Sequence, residues 1–477
     1  MFQRDLTWIA SATAGELVGN SVELVGVSTD SRSVKQANLF IPIVGEQFNG
    51  HQFVELAVRN GASSFLWEKK LALPDALQSI AHVLVDDTLL ALQNLAAAYR
   101  KELAVKVVGV TGSNGKTTTK EMIALILSTR YRTYKSPGNL NNHIGLPLSL
   151  LNIPDDVEVA VFEMGMNHAG EIARLAEIAK PDVGVITMIG EAHIGFLGSR
   201  EGIARAKWEL VASLPVDGVA FLPVEEPLLH ELTLPQGVTA YYFGESVDAD
   251  INLTHYEVKL PSGSSIELTT SEQLGNETAS MDLPFPGKHL GFDALAAIGV
   301  GRWFGVSLTM AAQALRDYQM DALRLAVMTL GDRLFLINDA YNAAPSSIEG
   351  AFKVMKDLPV DVRIVVLGDM LELGEHAEAL HRKVGAMFDR YGIQEVIAVG
   401  DLSNWYILGA RDQLRAMHVY MAADAVTAAD YLIPRLINHL KKEKTCAVLV
   451  KGSRKIGLEK VAQVILEDFP DHEIHTY

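Results

Sequence analysis

Two spacings of apolar residues alternate along the chain. Short, nearly continuous apolar runs at 106–110, 160–163 and 182–188 are followed by stretches such as 117–129 and 202–214, where apolar positions recur every three or four residues. Continuous runs suit strands buried on both faces, and the longer period suits helices that cover them. From 85 to about 320 the pattern therefore predicts a parallel sheet clad by helices. Within it, 219–286 reads as short strands and turns, HYEVKL, Pro-Ser-Gly-Ser and SIELTT among them, which predicts an antiparallel excursion before an Ala-rich helix over 292–304.

Residues 1–84 form a smaller α/β pattern, with helical spacing over 8–18 and strand signals over 22–27 and 39–44. From 321 to 477 four apolar runs end in polar residues: 334–337 at Asn338-Asp339, 363–367 at Gly368-Asp369, 396–399 at Gly400-Asp401 and 447–450 at Lys451-Gly452-Ser453-Arg454. Helical segments over 347–357, 376–391, 425–441 and 458–469 alternate with them, as in a doubly wound sheet whose ligands sit at the carboxyl ends of the strands. The fold class is α/β in three domains, 1–84, 85–320 and 321–477.

Candidate chemistry concentrates where 106–110 meets 117–129. The intervening loop, Thr111-Gly112-Ser113-Asn114-Gly115-Lys116-Thr117-Thr118, can turn backbone N–H groups toward phosphate oxygens, aided by the helix N-terminus. Lys116 supplies a mobile charge and Thr117 a hydroxyl for Mg²⁺, although Val110 stands where a strict Walker A loop has glycine. Glu163 ends a strand and can face the same cation. Taken alone, His193 reads as a hydrogen-bonded structural histidine and Lys207 as a solvated lysine. The polar clusters at 28–32 and 45–51 read as turns.

Composition removes several classes. A formal charge of −17 over 477 residues argues against nucleic acid as a partner, and 49% hydrophobic with 21% charged residues is ordinary for a globular chain. With Cys446 alone there is no intrachain disulfide, and no apolar run is long enough to span a bilayer, so a cytoplasmic protein is expected.

Nine stretches, in order, carry a resemblance: TDSR, GEQFNGH, TGSNGKTTTK, GNLNNHIGLP, EMG, AHIGFLGSREGIARAKWEL, DAYNAAPSS, GDMLELGEHAEALH and KGSR. Together they resemble the Mur ligase family, and the GDMLELG and YNA-type stretches resemble its D-alanyl-D-alanine-adding branch. The resemblance implies an N-terminal UDP-binding domain, a central P-loop ATPase and a C-terminal Rossmann-like domain. It implies a monomer that uses ATP and Mg²⁺ to join D-alanyl-D-alanine to UDP-MurNAc-tripeptide through an acyl phosphate.

Residue by residue, the resemblance places Lys116 on the β- and γ-phosphates, Thr117 and Glu163 on one Mg²⁺, and Glu163 with His193 on a second. Lys207 matches a lysine that some members carbamylate, which makes it an anion near the metals. Arg324 matches an interdomain arginine that reaches the phosphates; Asp339, Tyr341 and Asn342 would meet the nucleotide. Thr29, Ser31, Arg32, Phe48, Asn49 and His51 match the uridine-diphosphate end, Asn139, Asn141 and Asn142 the muramoyl-peptide loop, and Lys451, Ser453 and Arg454 the KGSR substrate contacts. Three departures surround the adenine and hinge region: Leu290 and Asp293 where the family has asparagines, Ala340 and Ala344 in the YNA stretch, and Ala322-Leu323 before Arg324. Another amine substrate, or a non-catalytic nucleotide-binding homologue, are the alternatives.

Overall fold

The computed structural model describes residues 2–45, 48–259, 263–411, 417–469 and 472–473. Glu46 and Gln47 of GEQFNGH, and residues 260–262 of the turn expected after HYEVK, lie outside them.

The central sheet has nine strands. Its middle is Val159–Glu163, Lys106–Thr111, Val183–Ile186, Val219–Pro223 and Thr239–Gly244, all parallel, with Thr133–Lys135 on one edge. Lys106–Thr111 is buried along nearly its whole length, as expected of a strand covered by helices on both faces. The antiparallel excursion is narrower than the spacing suggests. Val219–Pro223 is buried at every position and pairs parallel to both neighbours, and only Ile251–Lys259, Gly263–Thr270 and Thr278–Leu283 alternate in direction at the far edge. Their exposed outer face is what produces the alternating pattern.

Helices Lys116–Ser128 and Lys288–Trp303 pack against one another over this sheet, and Arg200–Ala212 lies against the strand Val183–Ile186. The N-terminal region holds a five-stranded and a two-stranded sheet. There the helix expected over 8–18 is Leu6–Thr13, ended by Ala14 in the left-handed conformation, and Glu16–Val18 is a strand. The Asp5 carboxylate caps the helix by accepting from the Trp8 N–H at 2.8 Å.

The C-terminal sheet runs His418–Ala422, Glu395–Val399, Val362–Gly368, Cys446–Lys451, Leu334–Asp339, Ala326–Leu330, His472–Glu473. Its first five strands are parallel, so the polar ends of Leu334–Asp339, Val362–Gly368 and Cys446–Lys451 fall on one edge, as expected. The helix expected over 376–391 is broken into a 3₁₀ turn at Gly374–His376, an α-helix at Ala377–Gly385 and a second 3₁₀ turn at Asp389–Tyr391. One buried apolar cluster runs through all three regions, from Phe2 by way of Val108 to Phe352 and Leu373.

Candidate active site

Three adjoining cavities lie along the carboxyl ends of the central strands. The first, about 240 Å³, is mainly apolar: Met188, Ile189, Pro223, Phe243 and Phe292 line it, with Asp293 at its inner wall. It shares Asn114, Gly115 and Asp293 with a second of about 270 Å³ that holds Lys116, Thr117, Glu163, Arg324, Asp339, Tyr341, Asn342 and Lys451. The second shares Lys116, Asn141 and His193 with a third of about 270 Å³, which adds Asn142, Glu171 and Lys207. The row suits a flat apolar group, then anions, then a polar acceptor.

The phosphate loop is held by its neighbours. Gly112 has φ +153° and a side chain there would meet the Thr187 hydroxyl at 1.8 Å; Gly115 has φ +81° and would meet the Asp293 carboxylate at 2.3 Å. Neither position admits a Cβ. The Ser113 hydroxyl accepts from the Gly190 N–H at 2.9 Å, and the Asn114 amide donates to the Ser346 hydroxyl of the C-terminal region at 3.0 Å. Lys116 Nζ donates to the Gly112 carbonyl at 2.9 Å, and burial pulls its ammonium below the usual lysine range despite the Glu163 carboxylate. Thr111 and Thr118 are buried beneath the loop.

Glu163, 2% exposed, accepts from the Thr117 hydroxyl at 2.7 Å and from the Asn141 amide at 2.8 Å. These residues fit a divalent cation: a hydroxyl and a buried carboxylate are hard oxygen donors. Among the described residues no cluster of three or more His, Cys, Asp or Glu could cage a metal by itself. His193 also lines this space. Its Nδ1 is buried 2.8 Å from Glu372 Oε2, within hydrogen-bonding distance but out of line.

Lys207 is not the solvated lysine that its residue type suggests. It is 2% exposed, and among the described residues it has no ion pair. Burial, with the Lys116 ammonium nearby, holds its amine well below the usual lysine range. A lysine amine whose ammonium form is disfavoured in this way is primed as a nucleophile.

From the C-terminal edge, Lys451 Nζ donates to the Asp339 carboxylate at 2.5 Å and to the Asn342 carbonyl at 2.9 Å. The Arg324 guanidinium stacks 3.9 Å from the Tyr341 ring centre, with its buried Nε unpartnered. Ser453 and Arg454 do not join the cavities. The Ser453 hydroxyl accepts from the Leu371 N–H at 2.9 Å, and exposed Arg454 pairs with Glu459 at 3.5 Å.

The N-terminal candidates stand apart from the row, and Asn139 is exposed outside it. Asn49 caps a 3₁₀ turn and its side chain also contacts His51 Nδ1 at 2.9 Å. His51 is buried edge-on against Trp67. Ser31 is buried, Thr29 partly so, and Arg32 and Phe48 are exposed. Arg32 donates in two bonds to Asp30, at 2.9 and 2.8 Å, and holds that carboxyl down at about 2.

Glu372, Glu171, Ser346, Thr187 and the wall of the apolar cavity escaped the sequence reading, because only tertiary packing brings them to the loop. Asp293 was visible as a departure, but its burial was not. Burial pushes its carboxyl up to about 8, so it is mainly protonated at neutral pH. A carboxyl raised in the folded state stabilises the fold fully at acid pH and loses that contribution as pH climbs to the raised value. In urea unfolding, the stability advantage of Asp293→Asn over the parent should widen by about 3 kcal/mol between pH 6 and 9. A gap that stays flat would show that Asp293 is ionised throughout.

Comparison with known proteins bears on the whole chain. Family models described as Mur ligase middle domain, Mur ligase glutamate ligase domain and Mur ligase family catalytic domain match residues 110–301, 323–454 and 23–107. The UDP-N-acetylmuramoyl-tripeptide--D-alanyl-D-alanine ligase of Bacillus subtilis (strain 168) is 39% identical over 98% of this chain and 99% of that protein. A crystal structure of MurF from Acinetobacter baumannii superposes with a TM-score of 0.87 at 31% identity, covering 98% of this chain and all of that one. MurF of Thermotoga maritima, solved in complex with ADP, does so with a TM-score of 0.80 at 26% identity over 93% and 98%. On this evidence, the chain belongs to the Mur ligase family.

Proposed function

We propose that this chain is an ATP-dependent ligase that joins D-alanyl-D-alanine to UDP-MurNAc-tripeptide, giving the UDP-MurNAc-pentapeptide used in peptidoglycan synthesis. The observation that carries this is the sharing of Lys116 between the phosphate cavity and the polar cavity beyond it. A peptide carboxylate in the third cavity would meet the γ-phosphate at that lysine. Relatives that carry this name align over nearly their full length.

The base of ATP takes the apolar cavity, where Phe292 and Asp293 flank it, and the phosphates lie along Thr111 to Thr118. A terminal carboxylate oxygen of the tripeptide attacks the γ-phosphorus, the bond to the bridging oxygen breaks, and ADP leaves. The neutral amine of D-alanyl-D-alanine then attacks the acyl carbon; phosphate departs with the former carboxylate oxygen, and the amine gives up a proton. Both partners of the first step are anions, so lowering their repulsion is the main task. Lys116 and Arg324 supply fixed positive charge, while Lys451, Asp339, Tyr341 and Asn342 shape the nucleotide side.

Mg²⁺ would be held by Thr117, Glu163 and His193 and would neutralise phosphate charge. Lys207, as a carbamate formed from its neutral amine and CO₂, would add oxygen donors there. We assign Thr29, Ser31, Arg32, Phe48, Asn49 and His51 to the UDP end, with Asn139, Asn141 and Asn142 along the peptide. Divisions at 84/85 and 320/321 separate the UDP-binding, ATPase and dipeptide-binding domains. We take the enzyme to act as a monomer, and in the cytoplasm, where ATP and UDP-linked substrates occur.

The test is phosphate release from ATP with UDP-MurNAc-tripeptide, with and without D-alanyl-D-alanine and with a panel of other amines, followed by product mass. A pentapeptide formed with the dipeptide alone is expected. Turnover with another amine would reassign the substrate, and none with any amine would favour a nucleotide-binding homologue.

A further inference from the structure

Two residues that are not glycine but hold left-handed backbone meet across the boundary between the central and C-terminal regions. His193 has φ +65° and Glu372 has φ +64°. Such backbone is uncommon outside glycine and persists where surrounding structure imposes it. Here His193 Nδ1 and Glu372 Oε2 are 2.8 Å apart, close enough to bond but out of line, so that a rotation of the ring or carboxylate completes the bond.

The loop that carries Glu372 is rigidly built. Met370 and Leu373 are buried, His381 Nε2 accepts from the Met370 N–H at 3.0 Å, and the Ser453 hydroxyl accepts from the Leu371 N–H at 2.9 Å. Its backbone touches the central region directly. The Glu372 carbonyl accepts from the Gly195 N–H at 3.2 Å, and a Cβ on Gly195 would lie 2.6 Å from the Gly374 nitrogen and 2.8 Å from the Glu372 oxygen. Gly195 sits in the short helix Ile194–Leu197 without positive φ, so its missing side chain serves this approach and not its own backbone. Lys383 adds an ion pair to Glu191 at 3.0 Å across the same seam.

We propose that Glu372 is a positioning residue: docking of the C-terminal region sets its carboxylate on His193 Nδ1, which fixes the tautomer and ring orientation that leave Nε2 free for the cation. This rests on the assignment of His193 to the cation made above. A carboxylate only accepts, so the proton stays on Nδ1 and the lone pair on Nε2. Carboxylates behind histidine ligands commonly do this, and their loss costs about 10–100-fold in metal affinity. Closure of the C-terminal region and completion of the cation site become one event.

The test uses Mn²⁺ as the probe, bound to the full-length protein with a non-hydrolysable ATP analogue, read by electron spin echo for nitrogen coupling and by titration for affinity. The parent should show histidine nitrogen coupling that His193→Ala abolishes. Glu372→Ala should lose most of that coupling and weaken the affected Mn²⁺ by about 10–100-fold, with its melting temperature unchanged. Glu372→Gln, whose amide oxygen still accepts from Nδ1, should restore coupling. Gly195→Ala, which leaves both side chains in place but blocks the approach, should reproduce Glu372→Ala. If His193→Ala leaves Mn²⁺ binding and coupling as in the parent, the cation assignment itself is wrong. If His193→Ala weakens binding while Glu372→Ala and Gly195→Ala do not, the positioning role is overturned; tighter binding in Glu372→Ala would overturn it too, marking the contact as a latch.

Discussion

Lys207→Ala is expected to lower turnover by about 10³-fold, the scale of losing one charge-stabilising group at the reacting atoms, while making the fold more stable. The two effects have one source. The Lys207 amine is buried without an ion pair among the described residues, and burial, with the Lys116 ammonium nearby, holds it well below the usual lysine range. Keeping an amine in a buried place that disfavours its charge costs about 1–3 kcal/mol, which alanine or methionine removes. Such a cost is retained where function needs it. In its unprotonated form the amine can add CO₂ and, releasing one proton, form a carbamate, which puts a bidentate anion in the cavity that His193 also lines. Added acetate or propionate should therefore restore part of the activity of Lys207→Ala, and ¹³C-bicarbonate should give the parent, and not the variant, a carbamate resonance. No rescue in a folded variant, with no carbamate signal in the parent, would leave Lys207 as a simple amine.

Lys116→Ala should remove turnover more completely, by about 10³–10⁵-fold, as with other cations that meet a transferring phosphoryl group. Its ammonium lies at the one wall common to the phosphate and acceptor cavities, tethered to the Gly112 carbonyl at 2.9 Å. Nucleotide affinity should fall far less, because the loop N–H groups and the helix N-terminus remain to hold the phosphates. Lys116→Arg should not substitute, since a planar fork cannot take the place of a compact ammonium in that loop. Equilibrium binding of ATP beside single-turnover kinetics separates the two effects; a loss confined to binding would remove Lys116 from the chemistry.

The phosphate loop was legible because everything that defines it is local: strand, two glycines that tolerate no Cβ, lysine, threonine, helix. Glu163 was legible for a related reason, as the acid at the end of a buried strand. Lys207 on its residue type alone was misleading, since lysines are seldom buried, and only the resemblance reversed that expectation. Asn49 and His51 carry local roles that their turn-like sequence hid, a cap and a packed ring under their own loop. Glu372 was invisible because its partner, His193, comes from a loop of the central region far away in sequence. The helix expected over 376–391 failed where Gly374 and Gly392, both with positive φ, bracket broken 3₁₀ turns.

The most direct test of an acyl-phosphate ligase is the fate of the acceptor's own oxygen. UDP-MurNAc-tripeptide carrying ¹⁸O in its terminal carboxylate should, with ATP and D-alanyl-D-alanine, deliver one ¹⁸O to each phosphate released and retain the other in the new amide. Phosphate free of ¹⁸O, with pentapeptide formed, would mean that the carboxylate is never phosphorylated and would contradict the account at its centre.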